Sequence, residues 1–198
     1  NILLKNVKCL NILVEAFKNS SSNDSIYVFG GQADGSILSS VSKFESSTGI
    51  WSETTSMLEQ RCDFDIAVVE DKVYLCGGWN GQQCLNTLEV FETTTQTFRT
   101  LILMKYARQG CGVAVLNGAL YVAGGCAEEN YLNVVEKYSI ETNQWQEISE
   151  MQKEREGLKL VEHNGKLYAL GGNDGNEFLN TVECYDPEKD LWEFKANM

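Results

Sequence analysis

The chain has 198 residues, 43% apolar and 10% aromatic, which is enough to bury a sizeable core. Its formal net charge of −12 argues against nucleic acid or an anionic membrane surface as the main partner, since both call for a basic face; the plainer reading is that the acids keep the surface soluble. Seven cysteines without a C-x-x-C pair, beside the single His163, exclude a disulfide framework and a zinc site.

From the N-terminus, Val7, Leu10, Leu13, Val14 and Phe17 fall on one helical face, and the spacing predicts a short α-helix from about Val7 to Lys18. The polar run Asn19–Asp24 follows as a linker. The chain begins at Asn1 rather than a methionine and reads as a fragment, with a partner domain expected upstream of the helix.

From Ile26 onward the sequence repeats every 47 residues without a gap. Glycine pairs stand at Gly30-Gly31, Gly77-Gly78, Gly124-Gly125 and Gly171-Gly172. The same step aligns Tyr27, Tyr74, Tyr121 and Tyr168, then Phe44, Phe91, Tyr138 and Tyr185, then Trp51, Phe98, Trp145 and Trp192. It also aligns Leu38, Leu85, Leu132 and Leu179, Met57, Met104, Met151 and Met198, and Arg61, Arg108 and Arg155. A fixed period of this size marks a repeat architecture.

Each unit carries four strand signals. The first two strands are apolar on both faces and are joined by Asn117-Gly118 or Asn164-Gly165, both strong hairpin turns, or by the weaker Glu70-Asp71. The third alternates, as in Thr87–Phe91, and the fourth is polar around its aromatic, as an outer edge strand should be. Such a sheet cannot bury both faces alone, and stacking sheets around an axis solves the problem. The expected fold is therefore all-β: an incomplete β-propeller over residues 25–198, preceded by the helix and linker of residues 1–24. Its antiparallel four-stranded blades occupy about 26–57, 64–104, 111–151 and 158–198, and the first lacks a convincing first strand.

Gly-Gly followed by an aromatic and then a tryptophan at these spacings resembles the kelch repeat. The segments Leu132–Tyr138 and Leu179–Tyr185, with Met104–Arg108 and Met151–Arg155, look like the propeller region of the BTB-BACK-kelch (kelch-like) family. Cys9–Phe17 is similar to the last helix of a BACK domain. The resemblance implies a protein-binding module, the substrate-recognition part of a cullin-RING ubiquitin ligase adaptor, with the cullin held by missing upstream domains. The alternative is an actin-binding cytoskeletal kelch protein, and a distant third is a kelch-fold enzyme such as a copper oxidase. Family propellers usually have six blades, whereas this sequence holds three full units and an incomplete first one.

No nucleophile elbow, phosphate loop or HExxH occurs, and His163 alone cannot build a copper site, so no catalytic residue, metal or cofactor is expected. The neighbouring acids Glu128-Glu129 read as solvated loop residues, and Cys62, beside Arg61, as either an oxidant-sensing or a bystander thiol. Cysteines lying in apolar runs point to a reducing setting, cytosolic or nuclear, and a cytoplasmic protein is expected. Partner-binding candidates lie in loops that vary between units: Trp79 and Asn80, Asn173 and Asp174, and Tyr106 with the arginine column. Two roles stand open for Arg61, Arg108 and Arg155. By the family resemblance they contact acidic groups of a substrate; by their repetition they brace neighbouring loops.

Overall fold

The computed structural model describes residues 25–198 and, as backbone, the strands Val7–Cys9 and Ile12–Leu13. Four antiparallel four-stranded sheets follow one another in chain order, and no helix occurs among the described residues. Blade 2 comprises Asp65–Val69, Lys72–Cys76, Leu88–Glu92 and Thr97–Thr100. Blade 3 comprises Gly112–Leu116, Ala119–Ala123, Val135–Ser139 and Gln144–Ile148. Blade 4 comprises Lys159–His163, Lys166–Leu170, Val182–Asp186 and Leu191–Phe194. In each, the strands pair in sequence order as a meander.

Blade 1 corrects the sequence reading. It has a first strand, Ile12–Leu13, ahead of Ser25–Phe29, Val41–Glu45 and Ile50–Glu53, with Ile12 opposite Val28 and Leu13 opposite Tyr27. That strand lies seven residues earlier than the 47-residue step from Ile66 and Ala67 would place it. The repeat register would instead use Asn19 and Ser20, which are too polar for an inner strand. The apolar Ile12-Leu13 takes the position, and pairing with an otherwise open strand edge overrides the local helical period. Val7–Cys9 is likewise a strand, paired with Gln32–Ala33. The remainder of the helix expected over Val7–Lys18, and the linker after it, lie outside the described residues.

Side-chain burial follows the strand order. The second strand of blade 3 is buried along its whole length, whereas the fourth strands are mostly exposed. Asn117-Gly118 and Asn164-Gly165 all have φ between 51° and 75°, the left-handed geometry that a two-residue hairpin turn requires.

The core sits between blades rather than within them. Tyr27, Phe29, Val41 and Met57 of blade 1 pack on Phe64, Val73, Leu75 and Phe91 of blade 2. Tyr74, Cys76, Leu88 and Met104 meet Cys111, Leu120, Val122 and Tyr138 in the same columns. Tyr121, Ala123, Val135 and Met151 meet Leu158, Leu167, Ala169 and Tyr185. Burial pushes the Cys111 thiol up to about 12, so it behaves as a small hydrophobe. Lys159 Nζ reaches the Asp65 carboxylate at 2.9 Å, so the first strands of blades 2 and 4 converge on the axis around blade 3.

The same backbone contact recurs at each junction. The second glycine of a pair donates to the arginine carbonyl that follows the next fourth strand: Gly31 to Arg61 at 2.9 Å, Gly78 to Arg108 at 2.8 Å and Gly125 to Arg155 at 2.7 Å. The first glycine lies under the same carbonyl. A Cβ on Gly124, where φ is +62°, would sit 2.4 Å from Arg155 O, while one on Gly118 (φ +73°) would meet nothing within 4 Å.

Among the described residues, the outer faces of blades 1 and 4 carry the same columns without a neighbour. Met198 is 67% exposed, where Met57, Met104 and Met151 are at most 4% exposed. Trp51 is 39% exposed, against 1% for Trp192. The chain should therefore associate in solution, with a light-scattering mass that rises with concentration above the 22.2 kDa monomer. A concentration-independent monomer melting above the ordinary range of about 45–65 °C would contradict this.

The glycine geometry gives a paired expectation. Gly118→Ala incurs only left-handed strain, about 1 kcal/mol. Gly124→Ala adds a clash with backbone and should cost clearly more, read as the larger fall in melting temperature. Equal effects would show that the close approach at Gly124 is not a constraint.

Candidate protein-interaction surface

The loops after the glycine pairs and the loops after the fourth strands emerge on one end and are stitched together. Trp79 bridges Cys62 and Cys84, Gln109 bridges Cys126, and Asn173 bridges Glu156 and Phe178. Gln60 Nε2 donates to Asn80 O at 2.7 Å, and Asn80 Nδ2 donates to Glu59 at 2.8 Å. The meander dictates this arrangement, because the second and fourth strands of a blade run in the same direction.

The arginine column does not reach that surface. Arg61, Arg108 and Arg155 are fully buried, each paired with a fully buried third-strand glutamate: Glu89, Glu136 and Glu183. Arg108 donates to Gly124 O at 2.8 Å, to Val134 O at 3.0 Å and to Glu136. Arg155 makes the same bonds to Gly171 O, Thr181 O and Glu183. The second oxygens of the glutamates accept from loop backbone, as Glu89 does from Leu58 N and Glu183 from Gln152 N. The expectation that these arginines contact a partner's acidic groups is thus corrected. A guanidinium that satisfies carbonyls inside the junction cannot present itself outside without leaving a buried carboxylate unpaired.

The other candidates divide. Trp79 is half-buried and lines a cleft of about 790 Å³ between the loops of blades 2 and 3. Beside it on one wall stand Gln82, Gln83 and Cys84; Ala107 and Gln109 flank the buried Arg108; Ala127–Asn130 form the opposite wall. Asn80 is a loop brace, its side-chain oxygen accepting from Gln82 N and Gln83 N at 2.9 Å each. Asn173 accepts from Gly175 N at 2.6 Å. Asp174 accepts from Glu177 N and Asn176 N and from Lys153 Nζ, which together hold its carboxyl down at about 2. Tyr106 packs under the Lys105 and Arg108 cations, and its hydroxyl donates to Glu147 at 3.2 Å. Of the eight partner-binding candidates, only Trp79 reaches the cleft.

Glu128 and Glu129 also line the cleft; the sequence marks their loop as one that varies between units but reads the pair itself as solvated acids. The hairpin that projects these two, Cys126–Ala127 with Asn130–Tyr131, recurs in register in blade 1 as Gln32–Ala33 with Ser36–Ile37. Phe178 stands 89% exposed on the blade 4 loop. His163 shares a 2.9 Å contact with Asn164 at the exposed turn between the first two strands of blade 4. The Cys62 thiol is buried and donates to Asp63 at 3.1 Å. No cluster of three His, Cys, Asp or Glu residues able to hold a metal occurs among the described residues.

The buried pairs generate a stability prediction. Arg108→Met strands the Glu136 carboxylate and should cost about 3–5 kcal/mol, lowering the melting temperature by roughly 2–4 °C per kcal/mol. Adding Glu136→Leu should restore only part of the loss, because Gly124 O and the Lys105 N–H stay unpaired. An unchanged melting temperature in Arg108→Met would show that the pair is no brace.

Comparison with protein families matches the KLHDC2/KLHL20/DRC7 kelch-repeats domain over residues 15–154 and the kelch motif over residues 155–198. No curated relative matches the chain. The match spans blades 2 to 4 and blade 1 from its second strand onward, and kelch repeats generally mediate contacts between proteins. The 47-residue step, the glycine-arginine junctions and the four meander blades are those of a member of the kelch-repeat family, to which this chain belongs.

Proposed function

We propose that the chain is the substrate-recognition part of a cullin-RING ubiquitin ligase adaptor working in the cytoplasm. The observation that supports this reading most is the looped end. Two sets of loops per junction, fixed by buried arginines, leave their tips free to vary and enclose a cleft between blades 2 and 3. Varied loops on a rigid scaffold are where recognition concentrates. The cleft also has the dimensions of a site for a small ligand or a few residues of peptide.

The adaptor reading requires BTB and BACK regions upstream of Asn1 in the full reading frame, since the propeller itself offers the cullin nothing in this scheme. It is tested by affinity capture of the full-length protein from cells. The expected result is co-purification of a cullin, together with proteins whose ubiquitination falls when the loop end is altered. Co-sedimentation with actin filaments and no cullin would replace this reading with the cytoskeletal one.

A further inference from the structure

We infer that the cleft between blades 2 and 3 takes a peptide segment carrying arginine or lysine. The inference rests on the reading of the looped end as a protein-binding surface and goes on to the chemistry of what binds there.

Three observations carry it. The cleft is lined by two acids, Glu128 and Glu129, by amides including Gln82 and Gln109, and by the indole of Trp79, with no lysine or arginine among its lining residues. Two cations of the loop that carries Ala107 and Gln109 are already engaged: Arg108 is drawn beneath the surface onto Glu136, and Lys105 is paired with Glu147. A further acid, Glu156, is coupled to the cleft through Gln109 Nε2 at 3.3 Å. An acidic peptide would therefore meet carboxylates without a countercharge, whereas a basic one meets complementary charge.

The third observation is the backbone at Glu128. Its φ is +59°, and the 47-residue step aligns it with Asp34, Gly81 and Gly175, all at positive φ. Glycine fills this position without strain in blades 2 and 4. Blade 3 instead holds a glutamate there, exposed at the hairpin tip with Glu129 beside it. The strained choice sets two carboxylates at the cleft mouth, where a guanidinium can lie between them and the Trp79 indole. Glutamine and asparagine side chains along the walls can then bond the peptide backbone, since an amide both donates and accepts.

The test is selection from a random peptide phage library on the sparsely immobilised 198-residue chain. Binding of a synthesised selected peptide is then measured by fluorescence polarisation. Enrichment of arginine or lysine is expected, with affinity that weakens as salt is raised. Glu128→Gly combined with Glu129→Gln should weaken binding by about tenfold or more, while the melting temperature holds or rises because the left-handed strain is relieved. Glu141→Gln, on an exposed turn between third and fourth strands, should leave binding unchanged. Enrichment of acidic or uncharged peptides overturns the inference and leaves the protein-binding reading standing. So does a basic peptide whose affinity ignores the Glu128/Glu129 change. If the wild-type chain enriches no peptide, the protein-binding reading of this end falls with it.

Discussion

Every junction in this protein depends on one approach of backbone to backbone. A carbonyl at Arg61, Arg108 or Arg155 settles over a glycine pair of the preceding blade, close enough that a Cβ would collide with it. The arginine side chain then turns into the next blade and ties the glycine carbonyls and third-strand glutamate there. One residue thus contacts the blade behind through its backbone and the blade ahead through its guanidinium. The fork geometry of arginine suits that task, because it supplies several donors in one plane to carbonyls and a carboxylate at once. In a low-dielectric junction these charge-assisted bonds also fix which loop sits over which blade.

This use of the arginines decides the electrostatics of the looped end. With three cations withdrawn into the structure, what remains at the cleft is amide, aromatic and carboxylate. The loop tips are free to differ because the brace beneath them does not. Asn80 and Asp174 show how the tips hold their own shape, each capping two backbone N–H groups of its turn. Blade 3 departs from that pattern, placing Glu128 and Glu129 where its neighbours use a glycine and a capped turn. A departure from an internal repeat on a rigid scaffold is the kind of difference that recognition requires.

The same modularity explains the two ends of the array. A repeat protein is held together by nearest-neighbour interfaces, so each interior blade is buried on both faces and each terminal one on a single face. Blade 1 does not close this gap by regular repetition. It recruits Ile12-Leu13 out of register, because apolar residues must occupy an inner strand and the residues in register are polar. Blade 1 also carries Ser42 at the third-strand position that holds Glu89, Glu136 and Glu183 in the other blades, so it has no carboxylate there for an arginine to meet.

The blades follow from sequence alone. Period, strand order, hairpin turns and the glycine pairs were all legible, because each is a local pattern of hydrophobicity or backbone freedom repeated at a fixed interval. The clue to the brace was also present. Glu89, Glu136 and Glu183 follow their arginines by 28 residues, and the unit that lacks the arginine lacks the glutamate. What the sequence left open was direction. A charged residue in a loop can face solvent or core, and only the packed junction, with its unpaired carbonyls and buried carboxylate, turned the arginines inward. The helical spacing of Val7–Phe17 failed for a related reason where the backbone is described. The first strand of blade 1 is chosen by an open sheet edge at Ser25–Phe29, and an edge is a property of the assembled sheet that no local spacing encodes.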